Sequence, residues 1–257
     1  MTASDACLTL SPLADVPGLS GLALTLHAPR ANALEPGVLQ QISAALQEVE
    51  RAVPDVLLIQ AGRNFCSGGD VARFHQAVMA GRGRAYAQEV VPVLQDIVYR
   101  LAALPAVVAV AARGAVTGGG AGLLFAADLA VLHPDAFVQP YYSKVGFAPD
   151  GGWSALLPER IGAGSTLAWL AADRRAGAEE LCQLGLAAAV DAEPEHALRG
   201  LLVGQTPGSL RAAKSLVWDA PRLAQLRARL DAETAAFLDR IECATTLAGM
   251  QAFLSPS

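Results

Sequence analysis

The run Asp55-Val-Leu-Leu-Ile-Gln-Ala61 leads into Asn64-Phe-Cys-Ser-Gly-Gly-Asp70, and further on Ala106-Val-Val-Ala-Val-Ala-Ala112 leads into Gly114-Ala-Val-Thr-Gly-Gly-Gly-Ala-Gly122. Short apolar runs of this kind, bounded by turn residues, read as buried strands. The glycines after each run let main-chain N–H groups point outward with no side chain in the way. Two such groups that converge, one of them at a helix start, can hold negative charge developing on a carbonyl oxygen. Buried strands alternating with helical stretches call for βαβ crossovers and a mainly parallel sheet, an α/β fold.

Outward from these units, residues 8–10 and 19–26 read as strands, and 38–51 carry apolar residues at helical spacing. Pro54-Asp55 breaks that helix before a strand at 56–59. Residues 86–104 read as a long helix that stops ahead of Pro105. A helix suits 119–127, a strand 129–132 and a short helix 152–157. Beyond Pro207 the chain turns amphipathic and helical over 209–218, 221–238 and 242–253. A core over residues 1–200 and a C-terminal helical region over 201–257 are therefore expected. Gly81-Arg-Gly-Arg84 marks a mobile stretch ahead of the long helix.

Of the 257 residues 53% are hydrophobic and 17% charged, which suits one large packed core and excludes a disordered chain. A net charge of −5 argues against a nucleic-acid surface. Only Lys144 and Lys214 are lysines, so arginine carries nearly all the positive charge. Cys7, Cys66, Cys182 and Cys243 lie far apart with no CxxC pair, against a zinc ribbon or a disulfide scaffold. His27, His75, His133 and His196 have no metal-ligand spacing, and His75 is expected to be exposed. The N-terminal stretch carries Asp5 and no signal-peptide core, and nothing reaches the ~18 apolar residues of a membrane span. A cytoplasmic setting with no membrane association is the expectation. Gly118-x-Gly120-x-Gly122 is not a dinucleotide fingerprint, and no GxSxG elbow makes Ser67 or Cys66 a nucleophile.

The two turns, together with Pro29-Arg-Ala-Asn-Ala-Leu34, Val145-Gly-Phe-Ala-Pro-Asp-Gly-Gly152 and Leu157-Pro-Glu-Arg-Ile-Gly162, resemble the enoyl-CoA hydratase/isomerase (crotonase) family. The blocks stand in the family's order and spacing across residues 8–215. The resemblance implies a crotonase spiral of ββα units with a C-terminal helical region, assembled as a homotrimer or dimer of trimers. It implies an acyl-CoA thioester as substrate, with no cofactor beyond the coenzyme A of that substrate and no metal. The main-chain N–H groups of Gly69 and Gly119 correspond to the family's oxyanion donors. Arg30, Ala31, Ala33, Ser67 and Asp70 correspond to positions around the coenzyme A moiety, Asp70 also ordering the first turn, and Asp128 is expected to do structural work at the following strand.

Family hydratases carry two glutamates at positions that here are Gly122 and Tyr141, so two-glutamate hydration is not expected. Asp150 in Pro149-Asp-Gly-Gly152 instead resembles the single carboxylate of enoyl-CoA isomerases, including the ring-opening type of the phenylacetate pathway. Phe147, Ala148 and Trp153 would desolvate it and raise its pKa from ~3.9, while a helix N-terminus would pull the other way. The competing reading makes Asp150 a cap for the helix after it. Aryl-CoA dehalogenases need a histidine and a tryptophan at positions corresponding to Val93 and Tyr142, and neither is present. Tyr141 and Tyr142 are read mainly as packing for the acyl pocket wall, with a phenol in the site as the alternative. The reaction expected is double-bond isomerisation of an enoyl-CoA. Hydration, decarboxylation, thioester hydrolysis and non-catalytic binding of an acyl-CoA are the alternatives.

Overall fold

The computed structural model describes residues 6–255; residues 1–5, Asp5 among them, and 256–257 lie outside it. Strand β1 (Leu8–Pro12) pairs antiparallel with β2 (Gly21–Leu26), and β3 (Val56–Ala61) and β4 (Val107–Ala112) then add in parallel. Between β4 and the rest of the large sheet the chain detours through β5 (Ala115–Thr117). It returns as β6 (Leu129–Leu132), leaves again through β7 (Phe137–Gln139) and β8 (Ala176–Gly177), and closes with β9 (Ala189–Val190). The six-stranded sheet runs β1-β2-β3-β4-β6-β9 and the small one β5-β7-β8. Ile59 lies beside Val110, so the loops that follow β3 and β4 leave the sheet at the same edge. In open α/β sheets that carboxyl edge is where ligands bind.

The connections are helical for local reasons. After β2 comes α1 (Pro29–Asn32), a single turn whose Arg30, Ala31 and Asn32 take left-handed φ of 53°, 57° and 57°. In α2 (Pro36–Ala52) the apolar residues Val38, Leu39, Ile42, Ala45, Leu46 and Val49 form one buried stripe, with proline in the first turn where no N–H is needed. Two helices, α3 (Val71–Met79) and α4 (Gly83–Ala103), fill the stretch before β4. The second glycine turn is a 3₁₀ turn, Gly118–Gly120, continuing as α5 (Ala121–Phe125). Then follow α6 (Tyr142–Val145), α7 (Leu157–Ile161), α8 (Ala163–Ala172), α9 (Ala178–Gln183) and α10 (Pro194–Leu202). The chain ends in α11 (Pro207–Val217), α12 (Ala220–Arg240) and α13 (Ala244–Leu254). Among the described residues no helix is long and apolar enough to cross a membrane.

Alternation along the strands serves both faces of the sheet. Leu57, Ile59, Val108 and Val110 face the core beneath α2 and α4, while Val56, Leu58, Ala109 and Ala111 face α10 through Leu198 and Leu202. Buried Lys214 on α11 donates to Leu101 O, Ala106 O and Asp128 Oδ2 at 3.0, 2.9 and 2.7 Å. The same Asp128 oxygen accepts from Val108 N at 2.8 Å, so this aspartate is structural and ties α11 to the sheet. Burial lowers the Lys214 pKa, and the nearby Asp128 charge opposes that.

Two local expectations are corrected. Residues 81–84 form no loose stretch: Arg84 N donates to Glu242 Oε1 at 3.0 Å, its guanidinium reaches Leu238 O at 2.9 Å, and Gly83 already opens α4. Residues 152–156 form no helix either. The chain passes through tight turns up to Leu156, because Gly151 and Gly152 take φ of +64° and +89°, outside the helical region, and α7 begins only at Leu157.

Candidate active site

The two glycine turns are joined edge to edge. Cys66 N donates to Ala115 O, and Thr117 N to Cys66 O, both at 2.9 Å; Thr117 Oγ1 adds a bond to Ser67 O at 2.9 Å. From the other side the left-handed turn α1 straps the first glycine turn. Ala31 O accepts from Ser67 N at 2.9 Å and Arg30 O from Ser67 Oγ at 2.8 Å, while Asn32 Nδ2 reaches Phe65 O at 3.0 Å. Gly68 has φ +78° and a Cβ there would stand 2.6 Å from Thr117 O, so only glycine allows the two turns to meet this closely. Among the described residues the N–H groups of Gly69 and Gly119 donate to no protein acceptor, and both residues line one cavity of about 340 Å³.

Asp150 lies against the second turn, where a Cβ on Gly119 would come 2.7 Å from Asp150 Oδ1. Its side chain caps no helix; α7 begins at Leu157 with no side-chain cap. Instead Tyr142, from α6, donates its phenol to Asp150 Oδ1 at 2.6 Å. Asp150 is 6% exposed, and burial pushes its pKa up to about 7. The Tyr142 hydrogen bond works against that rise, and the Glu233 charge adds to it. Burial and the neighbouring Asp150 charge hold Tyr142 as a neutral phenol, far above its ordinary titration range.

The loop that carries Asp150 is held from beneath by Glu233 of α12, itself 3% exposed. Its carboxylate accepts from Gly152 N, Ser154 N, Ser154 Oγ and Ala155 N at 2.7–3.0 Å, and from Gln95 Nε2 at 2.8 Å. Trp153, fully buried, donates its indole N–H to Gly118 O at 2.8 Å and so pins the second turn to the same loop.

A family model described as enoyl-CoA hydratase/isomerase matches residues 20–255. The chain belongs to this family. It is 29% identical over 250 residues, 91% of either chain, to a probable enoyl-CoA hydratase of Rhodobacter capsulatus. It is 30% identical over 168 residues, 64% of either chain, to the 1,2-epoxyphenylacetyl-CoA isomerase of Escherichia coli. The structure of the enoyl-CoA hydratase from Bacillus halodurans superimposes with a TM-score of 0.86 at 20% identity, over 96% of this chain and 100% of that one, and shows the crotonase fold.

Neither of the positions read above as the hydratase glutamates carries a carboxylate here, and at the first none would fit. At Gly122 a Cβ would stand 2.2 Å from Gly151 O, so the backbone of the Asp150 loop occupies the space a side chain would need. At the other position Tyr141 sits at φ 62°, held by its N–H bond to Asp173 Oδ1 at 2.6 Å, and lines the cavity. The carboxylates on the cavity wall are Asp70 and Asp150. Asp70 is already engaged: Oδ1 accepts from Ala72 N and Arg73 N at the start of α3, and Oδ2 pairs with Arg30 at 2.8 Å.

Of the other residues expected around coenzyme A, Arg30, Ala33 and Ser67 line the cavity, and Ala31 contributes its carbonyl to the strap instead. Arg30 is half exposed and is also paired with Glu35. Part of the wall is apolar, with Phe74, Phe147 and Phe237 in mutual ring contact at 4.9–5.5 Å. The Cys66 thiol is buried and pushed up to about 12 by that burial, which removes it as a nucleophile. His75 is half-buried rather than exposed, because α3 packs its face against the core. Tyr142 does more than pack the wall, since its phenol contacts Asp150 directly.

Two groups of the site have roles that the sequence does not spell out. Nothing local marks the bond of Tyr142 to Asp150. Glu233 belongs to no motif, although Leu226, Leu230, Glu233 and Phe237 follow at intervals of four, three and four, which places an acid on the buried stripe of α12.

Proposed function

We propose that this protein is an enoyl-CoA isomerase that moves one proton between the α- and γ-carbons of a 3-enoyl thioester. The observation that carries this reading is a lone available carboxylate, Asp150, next to Gly119 and in one cavity with the two unpaired N–H groups of Gly69 and Gly119. The thioester oxygen accepts from those two N–H groups, which lowers the cost of the enolate charge. Asp150 takes the α-proton, and the electron pair of that C–H bond flows into the carbonyl to form the dienolate. The protonated carboxyl then returns the proton to the γ-carbon. The 2,3-double bond forms, the 3,4-double bond is lost, and the carboxylate is regenerated. A pKa of about 7 suits a group that must both take and give a proton near neutrality.

Oδ1 is held by Tyr142, which leaves Oδ2 as the oxygen that works on substrate. Hydration would need a second group to activate water, and the Gly122 and Tyr141 positions supply none. The isomerase name of the Escherichia coli relative agrees with this reading, whereas the hydratase name of the Rhodobacter capsulatus relative makes hydration the reaction to test against. Arg30, half exposed on the cavity wall, would meet a phosphate of coenzyme A, and the phenylalanine-lined part would take an apolar acyl group.

The test offers purified protein 3-enoyl-CoA thioesters of several lengths, with Asp150→Ala alongside. Conjugated 2-enoyl product from the wild type, absent with the variant while thioester binding stays within a few-fold, is expected. No conjugation of any ester despite binding would overturn the assignment.

A further inference from the structure

We infer that Glu233 is a positioning residue for Asp150: it fixes the loop that carries the base and sets the charge field in which the base works. This inference rests on the isomerase reading for its catalytic meaning, and on the geometry alone for its physical content.

Glu233 is distant from Asp150 in sequence, on a helix of the C-terminal region, yet every polar contact of its carboxylate serves the Asp150 loop or steadies the carboxylate itself. Three consecutive-region N–H groups, those of Gly152, Ser154 and Ala155, converge on it, with Ser154 Oγ and Gln95 Nε2 completing the set. A loop whose Gly151 and Gly152 have φ of +64° and +89° is no regular helix, and within it only Trp153 N to Asp150 O at 3.4 Å and Leu156 N to Gly152 O at 2.7 Å bond turn to turn. With the carboxylate removed, three buried N–H groups would lose their acceptor, a change that costs far more than the net worth of the bonds. A surface acid would gain nothing from this site; an acid 3% exposed and ringed by donors is there for the loop.

The charge matters as well as the tether. Among the described residues, the titratable groups facing Asp150 are Tyr142 from α6 and Glu233 from α12. Helix α4 presents Leu94 there, with Gln95 bonded to Glu233, and the second glycine turn presents backbone. Tyr142 favours the ionised base and Glu233 disfavours it, so the two set opposite limits on when Asp150 holds its proton. Phe237, one turn along α12, lines the acyl end of the cavity, so one helix shapes both the pocket and the base.

The experiment compares wild type, Glu233→Gln and Glu233→Asp without any substrate. The titration of the Asp150 carboxyl is followed by ¹³C NMR, assigned with Asp150→Asn, and amide exchange is read at Gly152, Ser154 and Ala155. Glu233→Gln should lower the Asp150 midpoint by about half a unit or more, since a repelling charge is gone. It should also speed exchange at the three amides at least about tenfold. Should Glu233→Gln not fold, Glu233→Asp keeps the charge but draws it back by one methylene. It should then show the faster exchange, a kcat on a 3-enoyl-CoA thioester about tenfold lower or more, and KM within a few-fold. A folded variant with wild-type exchange at these amides and an unmoved Asp150 titration would overturn the inference. Wild-type protein that conjugates no thioester would overturn the isomerase reading instead, leaving the titration and exchange results to decide the role of Glu233.

Discussion

Replacing Asp150 with asparagine should stabilise the protein at alkaline pH and leave it nearly unchanged in acid. The folded state holds the Asp150 carboxyl at about 7, against an ordinary value of 3.8. Between those values the folded protein keeps a proton that the unfolded chain has released, so stability falls as pH rises through that window. The loss is complete above about 7. Three units at about 1.4 kcal/mol each give a penalty of roughly 4 kcal/mol at pH 8, and none below pH 3.8. Asparagine has the same shape, carries no charge, and its Oδ1 can still accept the Tyr142 phenol. The gain should therefore approach the full penalty at pH 8, a rise in Tm of roughly 5–10 °C for a chain of this length. Urea unfolding of both proteins at pH 4, 6 and 8 measures it. An equal gap at pH 4 and pH 8 would mean a packing effect, and no gap at pH 8 would mean that Asp150 is not held in the buried, desolvated state described.

Tyr142→Phe removes the side-chain hydrogen bond that favours the ionised base, so the acidic limb of kcat/KM should move up by about half to one unit and activity near pH 6.5 should fall several-fold. A pH profile of the variant checks it. Gly122→Ala places a methyl against Gly151 O and should cost about 2–3 kcal/mol in a thermal or denaturant melt, without creating hydratase activity. Arg30→Ala should raise KM roughly fivefold for a coenzyme A thioester and leave kcat close to wild type, with no change in KM for the corresponding pantetheine thioester, which lacks the nucleotide phosphates.

What could be read from the chain follows the range of the physics involved. Residues 107–112 form one uninterrupted apolar run and become the fully buried β4, because a strand covered on both faces writes itself into adjacent residues. The two glycine turns are likewise local, and both line the cavity. Asp128 was legible as structural, though not the buried Lys214 that reaches it from α11. The contact of Tyr142 with Asp150 depends on the reversal of the chain at Gly146 (φ +86°), a three-dimensional fact that spacing alone does not encode. Residues 152–157 read as a helix because their composition suits one. The left-handed Gly151 and Gly152 turn the chain instead, and Glu233, from the far end of the chain, holds those turns through the N–H groups of Gly152, Ser154 and Ala155, a contact that no local pattern records. The left-handed Arg30, Ala31 and Asn32 had no signal of their own, since only asparagine among them favours that conformation.

The measurement that tests the central claim most directly is the partition between two reactions of one enzyme preparation. Wild-type protein would be given a 3-enoyl-CoA thioester and, separately, its conjugated 2-enoyl isomer, with products separated by chromatography and Asp150→Ala run in parallel. Isomerase action through Asp150 predicts conversion of the 3-enoyl ester to the 2-enoyl ester, no comparable formation of 3-hydroxyacyl-CoA from the 2-enoyl ester, and loss of conversion in the variant. Hydration of the 2-enoyl ester at a rate equal to or above isomerisation, or conversion that survives Asp150→Ala, would contradict it.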